Sequence, residues 1–94
     1  MKKIKPTKTI FVDVDGTLHR CGMLDFRLVE WCRGKKACGF TLILWSARGE
    51  SHARTFAEYF KIEDIFKYII SKPEAVVDDQ GWNWIKYTEV VRQI

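Results

Sequence analysis

Residues 9–18 read TIFVDVDGTL. Residues 9–14 are apolar and β-branched, the pattern of a strand covered on both faces. The run ends on two carboxylates, Asp13 and Asp15, with Gly16 and Thr17 directly behind them. One acid at a strand end is ordinary. Two acids one residue apart, before a sharp turn, ask for a cation or for a reaction.

Working outward, the pattern repeats. FTLILW at 40–45 is a second continuous apolar strand, followed by the turn SARGES. Residues 26–37 read as a helix with Asp25 as N-cap and Phe26, Val29 and Cys32 on one face. Gly34 weakens the end of that helix, and Gly39 closes the segment. Residues 52–60 read as a second helix, with Ala53, Phe56, Ala57 and Phe60 at i, i+3, i+4 and i+7. YIIS at 68–71 and AVVDD at 75–79 read as third and fourth strands. The tail from Trp82 is a helix or a mixed segment, and Trp82, Trp84 and Tyr87 are expected to pack it onto the sheet rather than to stack bases. Apolar strands alternating with amphipathic helices predict an α/β fold of the Rossmann-like type, a three-layer parallel sheet of about four strands with helices on both faces. At 94 residues the chain is expected to be one domain, residues 1–94.

Composition narrows the classes. The apolar share of 47% and charged share of 30% are those of a globular domain. No run approaches the roughly 20 apolar residues of a membrane span. The start MKKIKPTK is basic, but no long apolar segment follows it, so no signal peptide and a cytoplasmic location are expected. Three cysteines, Cys21, Cys32 and Cys38, form no CxxC pair and suit reduced thiols in that compartment. A net charge of +4 suits an anionic partner such as a phosphate ester or a nucleic acid end, but charge alone does not decide it.

In parallel sheets, ligands bind at the carboxyl ends of strands. Asp13 and Asp15 follow the first strand, Ser46 the second, Ser71 and Lys72 the third, and Asp78 and Asp79 end the fourth. Taken singly these residues have plainer readings: a turn for Asp-Gly, a cap for Ser46, a solvated cation for Lys72, an N-cap pair for Asp78 and Asp79. Together they form a constellation. Four carboxylates in one crevice coexist only with a cation or with protons. Oxygen donors of this kind suit Mg²⁺, and the Ser46 hydroxyl and Lys72 ammonium suit a tetrahedral oxyanion. A divalent metal, donors and a spare carboxylate describe a phosphoryl-transfer site.

DVDGTL resembles the first signature of the haloacid dehalogenase superfamily in its phosphatase form. LILWS, ending on Ser46, resembles the second signature, Lys72 the third, and VVDD, with Asp78 and Asp79, the fourth. The four stand in the family's order over residues 9–79. The resemblance implies a dehalogenase-like sheet in strand order 3-2-1-4. It implies Asp13 as the nucleophile that forms an aspartyl-phosphate, and Asp15 as the acid that protonates the leaving oxygen and then activates water. Mg²⁺ is implied as cofactor, on the Asp13 carboxylate, the Asp15 backbone carbonyl and the Asp78 carboxylate, with Asp79 acting through water. Ser46 and Lys72 are implied to hold phosphoryl oxygens, with Gly16 and Thr17 forming the turn beside them. An aspartate at position 15 resembles phosphatases and phosphomutases, not dehalogenases, whose reaction has no leaving oxygen to protonate.

The resemblance also predicts no cap domain. Only HRCGML lies between Leu18 and the first helix, and residues 47–71 hold just one helix and one strand. An open site favours a phosphorylated nucleotide, a nucleic acid end or another large substrate, or a lid supplied by a homo-oligomer partner. His19, Arg20, Arg48, His52 and Arg54 are expected near the mouth, where they would meet further phosphates or stand as solvated cations. SARG, with Ala47 and Arg48 as candidate substrate contacts, resembles the second signature of polynucleotide phosphatase domains. Two other readings stay open: a phosphate or nucleotide binder without turnover, and a receiver-like switch phosphorylated on Asp13.

Overall fold

The computed structural model describes residues 7–83 and 88–92. Strand β1 is Thr9–Asp13. A short hairpin follows, β2 at His19–Arg20 and β3 at Met23–Leu24. Helix α1 is Phe26–Ala37, β4 is Thr41–Ser46, α2 is Glu50–Tyr59, and β5 is Tyr68–Ser71, with a 3-10 turn at Glu63–Ile65. β1, β4 and β5 make one parallel sheet in the order β1-β4-β5. In that register Asp13 lies beside Trp45, and Ser46 beside Ser71. Three strands therefore end along one edge.

Both crossovers step the same way across the sheet, so right-handed connections put both helices on one face. Burial bears this out. Val12 pairs with Leu44 and Leu44 with Ile69, and these share one buried cluster with Leu28, Val29 and Cys32 of α1 and with Ala53, Phe56 and Ala57 of α2. The opposite face carries Phe11, Ile43 and Tyr68 in register, then Trp45 and Ile70. Phe11 is 46% and Tyr68 53% exposed. Among the described residues the fold is thus two layers, where helices on both faces were expected. The continuous apolar strands suggested two covered faces, but the alternation of burial in β4 shows one.

Among the described residues the sheet holds three strands in the order β1-β4-β5, where about four in the order 3-2-1-4 were expected. Residues 75–79 lie outside it, with Val76 and Val77 exposed. The reason is chain length. A parallel neighbour on the far side of β1 needs a crossover of about a dozen residues back to the start of the sheet. Only Lys72, Pro73 and Glu74 separate β5 from Ala75. Residues 84–87 and 93–94, which include Trp84 and Tyr87, lie outside the described residues; Trp82 is exposed.

Helix α1 begins as its sequence requires. The Asp25 side chain accepts the Leu28 N–H at 3.0 Å, and Arg20 Nη2 donates to its other oxygen at 3.0 Å. The Leu28 N–H first, and then Arg20, hold the Asp25 carboxyl below the usual carboxylate range. A depressed acid stabilises the fold above its unfolded pKa, and that contribution is lost as pH falls through the folded value. Asp25→Ala is therefore expected to lower the melting temperature at pH 7 and to leave a smaller difference from wild type at acid pH, as measured by circular dichroism. The helix passes through Gly34 and ends with Lys35 and Lys36 in its last turn, where cations meet the negative end of the helix dipole.

The hairpin turn was not expected. Cys21 and Gly22 both adopt left-handed backbone, φ 53° and 74°, as a tight two-residue turn demands. Cysteine is a rare choice there, which hid the turn. Cys21 and Cys38 are exposed, while Cys32 is buried and burial pushes its thiol up to about 11. A thiol reagent at pH 8 is expected to modify two cysteines of the native protein quickly and Cys32 only on unfolding, read by mass spectrometry. Among the described residues no helix is long and apolar enough to cross a membrane.

Candidate functional site

The site sits at the carboxyl edge of the sheet. After β1 the chain turns back sharply. Gly16 takes φ 83°, a left-handed conformation that glycine adopts freely. Its N–H donates to the His19 carbonyl at 2.9 Å, and the His19 N–H donates to the Val14 carbonyl at 3.0 Å. Val14 and Leu18 are fully buried, so the loop is anchored from below while Asp13 and Asp15 stay accessible.

Asp13 has two partners. Lys72 Nζ stands 3.1 Å from Oδ1, and the Thr17 hydroxyl donates to Oδ2 at 3.0 Å. Lys72 arrives from the end of β5, and its backbone N–H donates to the Ser46 carbonyl at 2.9 Å. Its ammonium also lies 5.7 Å from the centre of the Trp45 ring. Three of the four predicted strand ends therefore meet: β1 with Asp13, β4 with Ser46 and β5 with Lys72.

Ser46 is only 1% exposed. Its Oγ accepts the Arg48 N–H at 3.0 Å, so it caps the SARG turn and keeps its own proton for donation. Ser71, at the end of β5, caps the start of α2 by accepting the Glu50 N–H at 2.8 Å, since the N-cap residue Gly49 has no side chain to do so. Ser71 was noticed in the sequence as a strand-end residue, but its partner became visible only through the β4–β5 pairing.

Asp15 faces α2. His52 Nε2 lies 3.0 Å from Oδ2 and 3.3 Å from Oδ1. Arg48 Nη1 lies 3.7 Å from Oδ1. Of the five basic residues expected at the mouth, these two pair with a site acid. Arg20 pairs with Asp25 and Arg54 with Glu50 at 3.4 Å, while the His19 ring packs on Phe56 and Phe60. Ala47 is exposed in the SARG turn.

Asp78 and Asp79 are not gathered with these acids. Asp78 Oδ1 accepts the Gln80 N–H at 2.7 Å, and Asp79 Oδ2 accepts from Gln80 Nε2 at 3.3 Å. They make a local turn on an exposed segment. This changes the electrostatic argument. Two carboxylates stand at the sheet edge, not four, and Lys72, Arg48 and His52 already pair with them, so repulsion alone does not call for a metal. Among the described residues no group of three or more His, Cys, Asp and Glu side chains is placed to hold an ion. Asp13 and Asp15 still offer oxygen donors of the kind Mg²⁺ takes, and one or two carboxylates with a substrate phosphate suffice for it. The residues fit a magnesium shared with substrate, not one held by protein ligands alone.

A recess of about 430 Å³, lined by Phe40, Leu42, Phe66 and flanking lysines, lies at the opposite end of the sheet, where β4 and β5 begin. It contains none of the site acids. Compared with protein-family models, with curated proteins and with solved structures, the chain has no significant match.

Proposed function

We propose that the chain is a Mg²⁺-dependent phosphohydrolase of the haloacid dehalogenase type, cleaving phosphate monoesters through an aspartyl-phosphate on Asp13. The observation that carries this reading is the meeting of Asp13 with Lys72 at 3.1 Å beside the Ser46 turn, three strand ends converging on one carboxylate. Lys72 and the Ser46 hydroxyl are donors suited to phosphoryl oxygens. Asp13 is half-buried yet open to solvent on one side, which leaves room for a phosphate.

In the first step an Asp13 oxygen bonds to phosphorus and the ester P–O bond breaks. Asp15 gives its proton to the departing oxygen. In the second step water attacks the acyl phosphate and passes a proton back to Asp15, releasing phosphate and restoring both carboxyl groups. Lys72 holds a phosphoryl oxygen throughout and screens the phosphate from the Asp13 charge. The Asp13 carboxylate and the Asp15 carbonyl would hold a magnesium, which would supply positive charge at the phosphoryl oxygens. Asp78 is only six residues beyond Lys72, a reach of at most about 20 Å, so as a third ligand it would have to leave its local turn and come from a loop, not from a strand end.

The open edge favours a large phosphorylated substrate: a nucleotide, a nucleic acid end or a phosphopeptide, with Arg48, 3.7 Å from Asp15, as a candidate contact. Incubation with Mg²⁺ and a panel of nucleotides, 3′- and 5′-phosphorylated oligonucleotides, sugar phosphates and phosphopeptides tests the proposal. Phosphate release that stops on chelation of the metal supports it; no release from any member defeats it. A binder without turnover is the second reading, favoured by the Asp78–Asp79 pair being engaged in its own turn. It predicts phosphate binding in the same panel with no release.

A further inference from the structure

We propose that His52 is a positioning residue for Asp15, an inference that rests on the phosphohydrolase reading above. The imidazole Nε2 lies within 3.3 Å of both Asp15 oxygens, so one ring spans the carboxyl group and fixes its plane. Arg48 is longer at 3.7 Å and more exposed, and holds the group less firmly.

The contact is built into helix α2. His52, Phe56 and Phe60 recur at i, i+4 and i+8 and share one face. Phe56 and Phe60 pack on the His19 ring, with centroids 5.5 and 5.9 Å away. His19 in turn closes the loop, accepting from Gly16 and donating to Val14. One helix stripe therefore grips the loop after β1 at two points, Asp15 at its start and His19 at its end. An exposed carboxylate on a glycine-containing turn would otherwise rotate freely about its side-chain bonds. A group that must hand a proton to one oxygen and later take one from water works only when held in a fixed orientation.

This role has a signature that a structural contact lacks. Proton donation matters most when the leaving oxygen is a poor leaving group. His52→Ala is expected to lower kcat on an alkyl phosphate by about 10- to 100-fold, and on p-nitrophenyl phosphate by less than about threefold, with KM little changed on both. His52→Gln, whose amide can still donate to the carboxylate, is expected to recover part of the alkyl phosphate rate. Circular dichroism checks the fold of both variants, and the Gln variant decides if the Ala variant does not fold. An equal loss on both substrates, or no loss on either, overturns the inference while leaving the hydrolase reading standing. A wild-type chain that turns over neither substrate, nor any member of the panel above, defeats the hydrolase reading and this inference with it.

Discussion

Asp13→Asn is expected to remove turnover, to below about one part in a thousand of the wild-type rate on a phosphomonoester that the proposed activity cleaves. The amide keeps the shape of the carboxylate, and its oxygen can still accept from Thr17 Oγ1, now 3.0 Å away. What is lost is the anionic oxygen that the proposed mechanism bonds to phosphorus. Lys72 loses its ion-pair partner, but it is about one-third exposed, and a pair so placed is worth about 1 kcal/mol or less. The variant is therefore expected to fold and to be inactive, and circular dichroism beside the rate assay separates the two. Retained activity in a folded variant removes Asp13 as nucleophile.

Leu44→Ala is the substitution expected to cost most stability. Leu44 is fully buried in the central strand, between Val12 and Ile69 and under both helices. Truncating such a leucine costs about 2–5 kcal/mol, out of a total that for small domains is about 5–15 kcal/mol. Ile43, its neighbour, points to the other face and is only half-buried. Ile43→Ala is expected to cost clearly less, about 1 kcal/mol. Urea unfolding of the pair measures the difference directly. Equal losses would mean that the second face is covered as well, and the two-layer description would fail.

The parts of the fold legible in the sequence are those set by local patterning. α1 starts at Phe26 behind Asp25, and β5 covers the four residues expected of it, because a capping acid and a short apolar run leave few choices. The β4–α2 segment follows the expected order, with boundaries shifted by a residue or two. What the sequence hid depends on distance. VVDD has the composition of a strand, but pairing also needs enough chain to reach an edge, and three residues after β5 do not provide it. The second helix layer was inferred from unbroken apolar strands, yet one covered face and one half-open apolar face produce the same letters. At the site, the approach of Lys72 to Asp13 followed from placing each at a strand end. The His52–Asp15 contact did not, because it joins residues 37 apart through the packing of α2 on the β1 loop. The spacing of His52, Phe56 and Phe60 is the available signal, but the face of α2 reads first as Ala53, Phe56, Ala57 and Phe60, with His52 left as a cation at the mouth.

A covalent phosphoryl group on the Asp13 carboxylate is what the proposed mechanism requires. Acid-quenched single turnover with excess protein, followed by borohydride reduction, converts an aspartyl-phosphate to homoserine, and peptide mass spectrometry locates it. Homoserine at position 13, formed only when both phosphomonoester and Mg²⁺ are present, is the predicted result. Phosphate release with Asp13 left unreduced, or with the mark on a different residue, contradicts it.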